Sequence, residues 1–288
     1  MRVLVLGGGG QVGSAVIRAT PEPHQVIAKT HSQLDITDEI ATEHMLVDAG
    51  VDWIVNAAAY TAVDLAEQQP AQAAAVNDAA VGALARAAAE AGCRLLHLST
   101  DFVFDGESNR AYLPTDAAHP LSVYGATKLA GEHKVLHSGS EGIVLRTAWV
   151  YAAAGRNFVL TMLRLMRERE RVEVVCDQIG APTWAQGLAH AIWDLMQAEA
   201  PAGVHHWTDL GVASWYDFAV AIQDEALARG LLTRAATIAP ITSAEYPTRA
   251  RRPAFSVLDT RATRALVRTP AVHWRHHLRK MLDELRTS

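Results

Sequence analysis

The sequence predicts an α/β fold in which a Rossmann-type, doubly wound parallel sheet is followed by a smaller α/β substrate-binding domain. Short apolar runs of branched residues alternate with helical patterns through the first half of the chain, as in a parallel sheet covered on both faces. Four consecutive glycines follow the first of these runs directly. After about Trp149 the alternation becomes irregular, which indicates a change of domain.

Apolar runs and helix-ending residues predict the elements of the first half. Strands are predicted over residues 3–6, 25–28, 53–55, 94–98 and 143–145, because each is a short apolar run. A helix from residue 11 ends near Pro21, and a second, with Thr37 as its N-cap, ends at Gly50. Two further helices are predicted over residues 77–92 and 121–137.

The second half predicts helices over residues 157–170 and 184–197, another from Ser214, and a terminal helix. A strand over residues 172–176 is predicted to rejoin the first sheet, and a short segment spans residues 205–207. We therefore expect one domain over residues 1–149 and a second mainly over residues 150–288. Chain near residues 172–200 is expected to return to the first domain.

Composition and charge argue against several classes of function. The chain has 288 residues, of which 50% are hydrophobic and 20% charged, so it can fill a sizeable core. Its formal net charge of -5 provides no basic field for nucleic acid or an anionic membrane. Two cysteines cannot build a disulfide framework, and the N-terminal apolar run is too short for a signal peptide. We expect a cytoplasmic protein without nucleic-acid or membrane partners.

The glycine run predicts a dinucleotide-binding turn. Gly8, Gly10 and Gly13 fit the spacing G-x-G-x-x-G. Gly7, Gly10 and Gly13 fit the spacing G-x-x-G-x-x-G. A turn without side chains between a strand and a helix lets a pyrophosphate approach the backbone N–H groups at the helix N-terminus. A tight turn without a ligand is the alternative.

The end of the second predicted strand favours NADP over NAD. An NAD site commonly offers an Asp or Glu to the ribose at this point, whereas this chain has Lys29, Thr30 and His31. Lys29 or His31 could attract a 2′-phosphate, although solvated polar residues are the simpler alternative. Asp35 and Ile36 follow, where the adenine is expected to lie.

Tyr124 and Lys128 indicate a catalytic function more specifically than the glycine run does. Four residues apart on a helix, they share one face, and a lysine cation lowers the pKa of a nearby phenol. Such a pair can act as an acid or base beside a carbonyl group. Ser99, Thr100 and Asp101 follow a predicted strand, where ligands of parallel sheets bind, and the Thr100 hydroxyl could bond the same carbonyl oxygen.

The motifs and their order along the chain resemble those of the extended short-chain dehydrogenase/reductases and, among them, those of the dTDP-4-dehydrorhamnose reductase family. The resemblance runs through nearly the whole chain. The matching segments are GGGGQVG (7–13), VNAAAYTAVDLAE (55–67), LSTDFVFDG (98–106), YGATKLAGE (124–132), RTAWVY (146–151), DQIGAPT (177–183), SWYDFA (214–219) and YPTRARRPAFSVLDT (246–260).

The resemblance implies reduction of the C4 keto group of dTDP-4-dehydro-β-L-rhamnose by NADPH, with NADH as an alternative, in dTDP-rhamnose biosynthesis. It implies that Tyr124 is the general acid, that Lys128 holds the nicotinamide ribose and that Thr100 orients the carbonyl. The expected cofactor-binding residues are Gly7, Gly10, Gln11, Val12, Gly13, Lys29, Asp35, Ile36, Ala57, Ala58, Ala59, Tyr60, Tyr124 and Lys128. The expected substrate-binding residues are Thr100, Asp101, Tyr124, Trp149, Arg249 and Arg252.

Two positions depart from the family pattern. Phe102 stands where members usually have a tyrosine, so one substrate contact is in doubt. Ala15 stands where some members have a glutamate that binds magnesium between subunits. We therefore expect no metal site and a monomer or a weak homodimer.

Three other functions remain as alternatives. A sugar-nucleotide dehydratase would need a second carboxyl group where Phe102 stands, which argues against it. A reductase or epimerase of another 6-deoxy-4-keto sugar nucleotide would use the same Tyr/Lys chemistry. A non-catalytic NADP-binding subunit, like the β subunit of methionine adenosyltransferase, would not need Thr100, Tyr124 and Lys128 together.

Overall fold

The computed structural model describes the backbone of residues 1–287 and the side chains of residues 1–46 and 50–286. The strands are β1 (Arg2–Leu6), β2 (Gln25–Lys29), β3 (Trp53–Asn56), β4 (Arg94–Thr100), β5 (Ile143–Thr147), β6 (Val150–Tyr151), β7 (Arg171–Val175), β8 (Ile179–Gly180), β9 (Thr183–Trp184), β10 (Gly203–His206), β11 (Ala213–Ser214) and β12 (Thr237–Ile241). The helices are α1 (Gln11–Arg18), α2 (Glu39–Ala49), α3 (Val63–Ala66), α4 (Pro70–Ala74), α5 (Ala80–Glu90), α6 (Val123–Leu136), α7 (Phe158–Glu168), α8 (Ala185–Gln197), α9 (Trp215–Ala228), α10 (Arg261–Arg264) and α11 (Trp274–Thr287). A π-helical segment, Ala75–Ala79, joins α4 to α5.

Six parallel strands form the central sheet in the order β2-β1-β3-β4-β5-β10. This confirms the predicted doubly wound fold. The strand order changes direction between β1 and β3, and ligands of such sheets bind beyond the carboxyl ends of the strands at this kind of switch point.

Helices cover both faces of the sheet. On one face α1 and α8 pack together, and the Trp193 indole of α8 donates a hydrogen bond to the Val16 carbonyl of α1 at 2.9 Å. On the other face α2 and α5 cover Leu4, Ile54 and Leu95. Strand β10 thus belongs to the first sheet and helix α8 packs on it, although both follow residue 149. The domain boundary expected at residue 149 stays a prediction.

The chain after residue 149 also builds a second hydrophobic cluster, in which α7, α9 and α11 pack around Phe218. The strand predicted over residues 172–176 to rejoin the first sheet is placed wrongly. It forms β7, which pairs in parallel with β12 in a separate two-stranded sheet. Among residues 1–287, no helix is long and apolar enough to cross a membrane.

Two predicted helix starts are wrong. Asp38, not Thr37, caps α2, because its side chain accepts the Ala41 N–H while Thr37 bonds to Asp35. The helix predicted to start at Asn77 begins at Pro70, which suits a first helical position because it has no N–H to leave unpaired. Asn77 instead lies in the π-helical segment, inside the helical run.

Candidate active site

The predicted site residues converge where the central strands end. Strands β1, β3, β4 and β5 are adjacent and parallel, so the residues that follow them lie along one edge of the sheet. The turn at residues 7–10, the segment 57–60 and the segment from Thr100 to Phe102 are therefore brought to the same edge. We call this the carboxyl edge.

The glycine turn suits a phosphate group. Gly10 is the N-cap of α1 and makes no side-chain capping bond, so the N–H groups of the first helical turn are left for a ligand. A Cβ atom on Gly13 would lie 2.2 Å from the Gly7 carbonyl oxygen, which only glycine avoids. Gln11 and Val12 begin the helix, and the Gln11 side chain accepts a hydrogen bond from Asn157 at 3.0 Å.

Segment 57–60 is held in place by buried side chains. The Ala58 N–H donates to Asn56 Oδ1 at 3.1 Å, and the Tyr60 N–H donates to Asn77 Oδ1 at 2.9 Å. Asn77 Nδ2 bonds both the Tyr60 carbonyl and the Thr127 hydroxyl of α6. Asn77 thus links this segment to α6. This role was not predicted, although Asn77 is the one asparagine in an alanine-rich stretch of the sequence.

The residues expected near the adenosine end have local structural partners. Lys29 ends β2, and its carbonyl accepts the Gly8 N–H at 2.9 Å, so its side chain starts beside the glycine turn. The backbone N–H and hydroxyl of Thr37 bond the Asp35 carboxylate and hold its pKa below the usual value. Ile36 is buried in the core. Contact of Asp35 and Ile36 with adenine stays a prediction.

Helix α6 brings Tyr124 to the carboxyl edge. A Cβ atom on Gly125 would lie 2.2 Å from the Phe102 carbonyl oxygen, so a glycine here lets α6 approach the segment after β4. The Phe102 and Tyr124 rings meet edge to face with centroids 5.6 Å apart. Burial raises the pKa of Tyr124 to about 12, while the Thr100 hydroxyl acts in the opposite direction. The phenol therefore keeps its proton at neutral pH.

Lys128 lies one helical turn further, with its side chain almost wholly inside the protein. Its Nζ donates to the Leu98 carbonyl at 2.7 Å and lies 3.1 Å from His97 Nε2. Burial lowers the pKa of Lys128 to about 8, although the nearby Glu132 carboxylate acts to raise it. His97 was not predicted as a site residue, because it lies inside an apolar strand.

Asp101 and Thr147 present unpaired polar atoms at the carboxyl edge. The Thr100 hydroxyl donates to Asp101 Oδ1 at 3.1 Å, whereas Asp101 Oδ2 and Thr147 Oγ1 are buried and have no hydrogen-bond partner within the described residues. Burial raises the pKa of Asp101 to about 6, and the hydroxyls of Ser256 and Thr100 act against this rise. Buried polar groups are normally paired, so these two atoms fit a polar ligand here.

We expect Asp101→Asn to remove a pH-dependent loss of stability. Because the pKa of Asp101 is raised on folding, its contribution to stability is greatest below the ordinary value of 3.8 and is lost as the pH passes about 6. We compare the free energy of unfolding of Asp101→Asn with that of the unsubstituted protein. The difference between the two should shift in favour of Asp101→Asn by on the order of 3 kcal/mol between about pH 4 and pH 8. Urea unfolding at several pH values measures this difference, and a constant difference would contradict the raised pKa.

Two tryptophans from the second half of the chain line one side of a cavity near Phe102. Trp149 has a positive φ of 49°, and its ring stacks on Trp215 with centroids 3.5 Å apart. A cavity of about 30 Å³ lies between these two indoles, Phe102, Arg252 and Ser256. Trp149 and the Phe102 ring beside Tyr124 thus line a common cavity.

The two arginines expected to bind phosphates differ in their surroundings. Arg252 forms an ion pair with Asp64, with Nη2 2.7 Å from Oδ2, and this pairing helps to hold the pKa of Asp64 below its usual value. Arg249 is exposed at the surface. Binding of the nucleotide phosphates by either arginine stays a prediction.

The model of the RmlD substrate binding domain family matches residues 1–287. The chain belongs to this family. It is 42% identical over 286 residues to the dTDP-4-dehydrorhamnose reductase of Burkholderia thailandensis, an alignment that covers 96% of each chain. The predicted resemblance is therefore confirmed.

Solved structures of RmlD relatives share the whole fold. The dTDP-4-dehydrorhamnose reductase of Clostridium acetobutylicum has a TM-score of 0.93 and 33% identity, and the match covers 99% of this chain and 100% of that chain. The dTDP-4-dehydrorhamnose reductase of Bacillus anthracis, solved in complex with NADP, has a TM-score of 0.92 and 31% identity, with 98% and 99% covered. Both the nucleotide-binding sheet and the second half are thus shared with these family members.

Proposed function

We propose that this protein reduces the C4 keto group of dTDP-4-dehydro-β-L-rhamnose to dTDP-β-L-rhamnose with NADPH. The observation that carries the proposal is the meeting of Thr100, Tyr124 and Lys128 at the carboxyl edge, beside a glycine turn that suits a pyrophosphate. When bound, NADPH supplies the hydride. Membership of the RmlD family supports this choice of substrate.

Tyr124 donates the proton that the reduced carbonyl oxygen needs. Its phenol is protonated at neutral pH, and burial, which raises its pKa to about 12, makes the phenolate rarer still. The Thr100 hydroxyl lies beside the Tyr124 phenol, and it can turn its proton from Asp101 Oδ1 to the carbonyl oxygen, which fixes that oxygen relative to the phenol. Exclusion of water from this buried corner strengthens both interactions.

Lys128 and the glycine turn hold the cofactor. The N–H groups at the start of α1 bind the pyrophosphate, and the Lys128 amine binds the nicotinamide ribose. The buried Asp101 carboxyl, whose Oδ2 has no partner within the described residues, and the Trp149 ring, which lines a cavity with Phe102, bind the sugar. Because the pKa of Asp101 is about 6, its charge state changes near neutrality.

The assay that tests the proposal combines purified protein, NADPH and an enzymatically generated dTDP-4-keto-6-deoxy sugar. We expect NADPH absorbance to fall in proportion to the dTDP-β-L-rhamnose formed, with the product's C4 configuration determined by NMR. Folded protein that consumes no NADPH would contradict the reductase proposal. A product with the opposite configuration at C4 would reassign the substrate to another 6-deoxy-4-keto sugar nucleotide.

Lys29→Glu is expected to reverse the preference for NADPH. Lys29 ends β2 beside the glycine turn, where it can pair with a 2′-phosphate. Loss of a hydrogen bond between charged groups costs about 1.5–3 kcal/mol, so KM for NADPH should rise by about 10- to 100-fold while KM for NADH changes little. Lys280→Glu, on the exposed side of α11, is the matched control for added negative charge. Equal rises in KM for both cofactors would refute the assignment of Lys29.

We further propose that the protein works in the cytoplasm as a monomer or weak homodimer without nucleic-acid or membrane partners. The formal net charge of -5 and the two free cysteines support this assignment. NADH is proposed as a weaker substitute for NADPH. Sedimentation over a range of protein concentrations measures the oligomeric state, and a tight dimer with added magnesium would contradict it.

A further inference from the structure

Thr147, the last residue of β5, carries a buried hydroxyl that makes no hydrogen bond. The residue is 7% exposed, and its Oγ1 is buried and unpaired in the part of the chain that the structure describes. A hydroxyl buried in this way costs free energy unless it is bonded, and native structures bond nearly all such groups. The unpaired oxygen therefore points to a polar group that a ligand supplies.

Thr147 lies beside Thr100 on the same face of the central sheet. The two residues are paired in the register of β4 with β5, and neighbouring strands are about 4.8 Å apart. Side chains alternate between the two faces along a strand. Leu98 and Leu145, two residues earlier in each strand, both pack into the cluster that α1 and α8 cover. The two threonine side chains thus lie next to each other at the carboxyl edge, on the face that α1 covers.

A dinucleotide bound at the start of α1 has its second half at this point. Such a ligand crosses the switch point of the sheet with one nucleotide on either side, and here the switch point lies between β1 and β3. The adenosine half belongs on the β2 side, where Lys29 ends the strand beside the glycine turn. The nicotinamide half therefore belongs over the ends of β4 and β5, where Thr100 and Thr147 stand.

The carboxamide is the polar group of the nicotinamide ring that suits this hydroxyl. It is attached to ring carbon C3, next to the carbon C4 that gives up the hydride, so it stays close to the ketone that Thr100 and Tyr124 hold. An amide presents a carbonyl oxygen and N–H groups, and a threonine hydroxyl can donate to the first or accept from the second. Thr147 is thus within one strand spacing of the place where the carboxamide must lie.

We propose that the Thr147 hydroxyl binds the carboxamide of the nicotinamide ring and so fixes the rotation of the ring about its bond to the ribose. The inference rests on the proposed function and adds one residue, at the end of β5, to those that hold the cofactor. The rotation of the ring decides which side of C4 meets the ketone. A hydrogen bond to the carboxamide therefore keeps the hydride directed at the carbonyl carbon.

Thr147→Val tests the inference, because valine has the shape of threonine without the hydroxyl. Isothermal titration calorimetry compares the binding of NADPH with that of 2′-phospho-ADP-ribose, which lacks the nicotinamide ring. We expect Kd for NADPH to rise by about 5- to 100-fold, the range for leaving a buried polar group unpaired. Kd for 2′-phospho-ADP-ribose should stay within about twofold of its value in the unsubstituted protein.

Two control variants separate the hydroxyl from its surroundings. Thr147→Ser keeps the hydroxyl and should bind NADPH as the unsubstituted protein does. Thr42→Val also removes a buried threonine hydroxyl, but that hydroxyl donates to the Asp38 carbonyl of its own helix at 2.8 Å. It should leave NADPH binding unchanged and raise the unfolding equilibrium constant of the free protein by about 2- to 10-fold. Thr147→Val has no such bond to lose, so its free protein should unfold no more readily than the unsubstituted one.

Three results would overturn the inference. The first is a Kd for NADPH in Thr147→Val within about twofold of the unsubstituted value. The second is an equal loss of affinity for NADPH and 2′-phospho-ADP-ribose, since the loss would then not arise at the nicotinamide end. The third is weaker binding of dTDP-β-L-rhamnose with unchanged binding of NADPH, which would assign Thr147 to the sugar.

The inference and the proposed function can fail separately, because the test measures equilibrium binding without turnover. A protein that binds NADPH but reduces no 4-keto sugar nucleotide would contradict the proposed function and still show whether Thr147 contacts the nicotinamide. If Thr147→Val does not fold, Thr147→Ala also removes the hydroxyl, and the same comparison of the two ligands decides.

Discussion

Tyr124→Phe is expected to lower kcat for reduction of the 4-keto sugar nucleotide by about 10²- to 10⁴-fold, the range typical of losing a general acid. The substitution removes a phenolic proton whose pKa is raised by burial to about 12. The ring itself remains, with its edge-to-face contact to Phe102. KM for the sugar nucleotide should therefore change by only a few fold.

Tyr112→Phe is the matched control for this prediction. It also removes a half-buried phenol oxygen, but that oxygen bonds Asp105 and lies in a separate small apolar cluster around Phe104. The circular dichroism spectrum should stay unchanged in Tyr124→Phe, and NADPH binding should weaken by only a few fold because the glycine turn and Lys128 remain. Turnover by Tyr124→Phe within about threefold of the unsubstituted rate would refute Tyr124 as the proton donor.

Five strands of the central sheet could be predicted from the sequence because each contains a short apolar run, whereas β10, which holds two histidines, was predicted only as a short segment at residues 205–207. Buried parallel strands face helices on both sides, so runs such as Val3–Leu6 need no alternation to be recognised. The strand that pairs with β7 could not be predicted from such an apolar run. Its burial alternates, and β12, the strand it pairs with, contains Pro240 and was not predicted.

The proposed site residues that the structure brings to the carboxyl edge could also be predicted, because they stand at strand ends and in a spaced motif. The buried residues that contact these site residues from the interior could not be predicted. His97 and Asn56 occur within or at the end of apolar runs and look like packing residues until the pairing of β3 with β4 places them opposite each other. Asn77 was visible as a polar residue in an alanine-rich stretch, but only the π-helical segment turns its amide toward Tyr60.

Arg146→Met is expected to cost about 3–5 kcal/mol of the free energy of unfolding, because it breaks a buried ion pair. The Arg146 guanidinium donates to both oxygens of Glu132, at 2.9 and 2.6 Å, and the two side chains are only 5% and 0% exposed. After the substitution, the Glu132 carboxylate keeps the Ser99 hydroxyl as a partner but loses its ion pair. Urea unfolding at neutral pH measures the loss.

Arg164→Met provides the matched control, since Arg164 and Glu168 form an exposed pair on α7 at 2.8 Å. Exposed pairs contribute at most about 1 kcal/mol, so this variant should unfold almost as the unsubstituted protein does. The double substitution Glu132→Leu with Arg146→Met removes both charges and should recover most of the stability lost in Arg146→Met. Glu132 lies one turn beyond Lys128 on α6, so an unpaired carboxylate there would also disturb the helix that carries Tyr124 and Lys128. Equal losses in Arg146→Met and Arg164→Met would show that the buried pair does not hold α6 against β5.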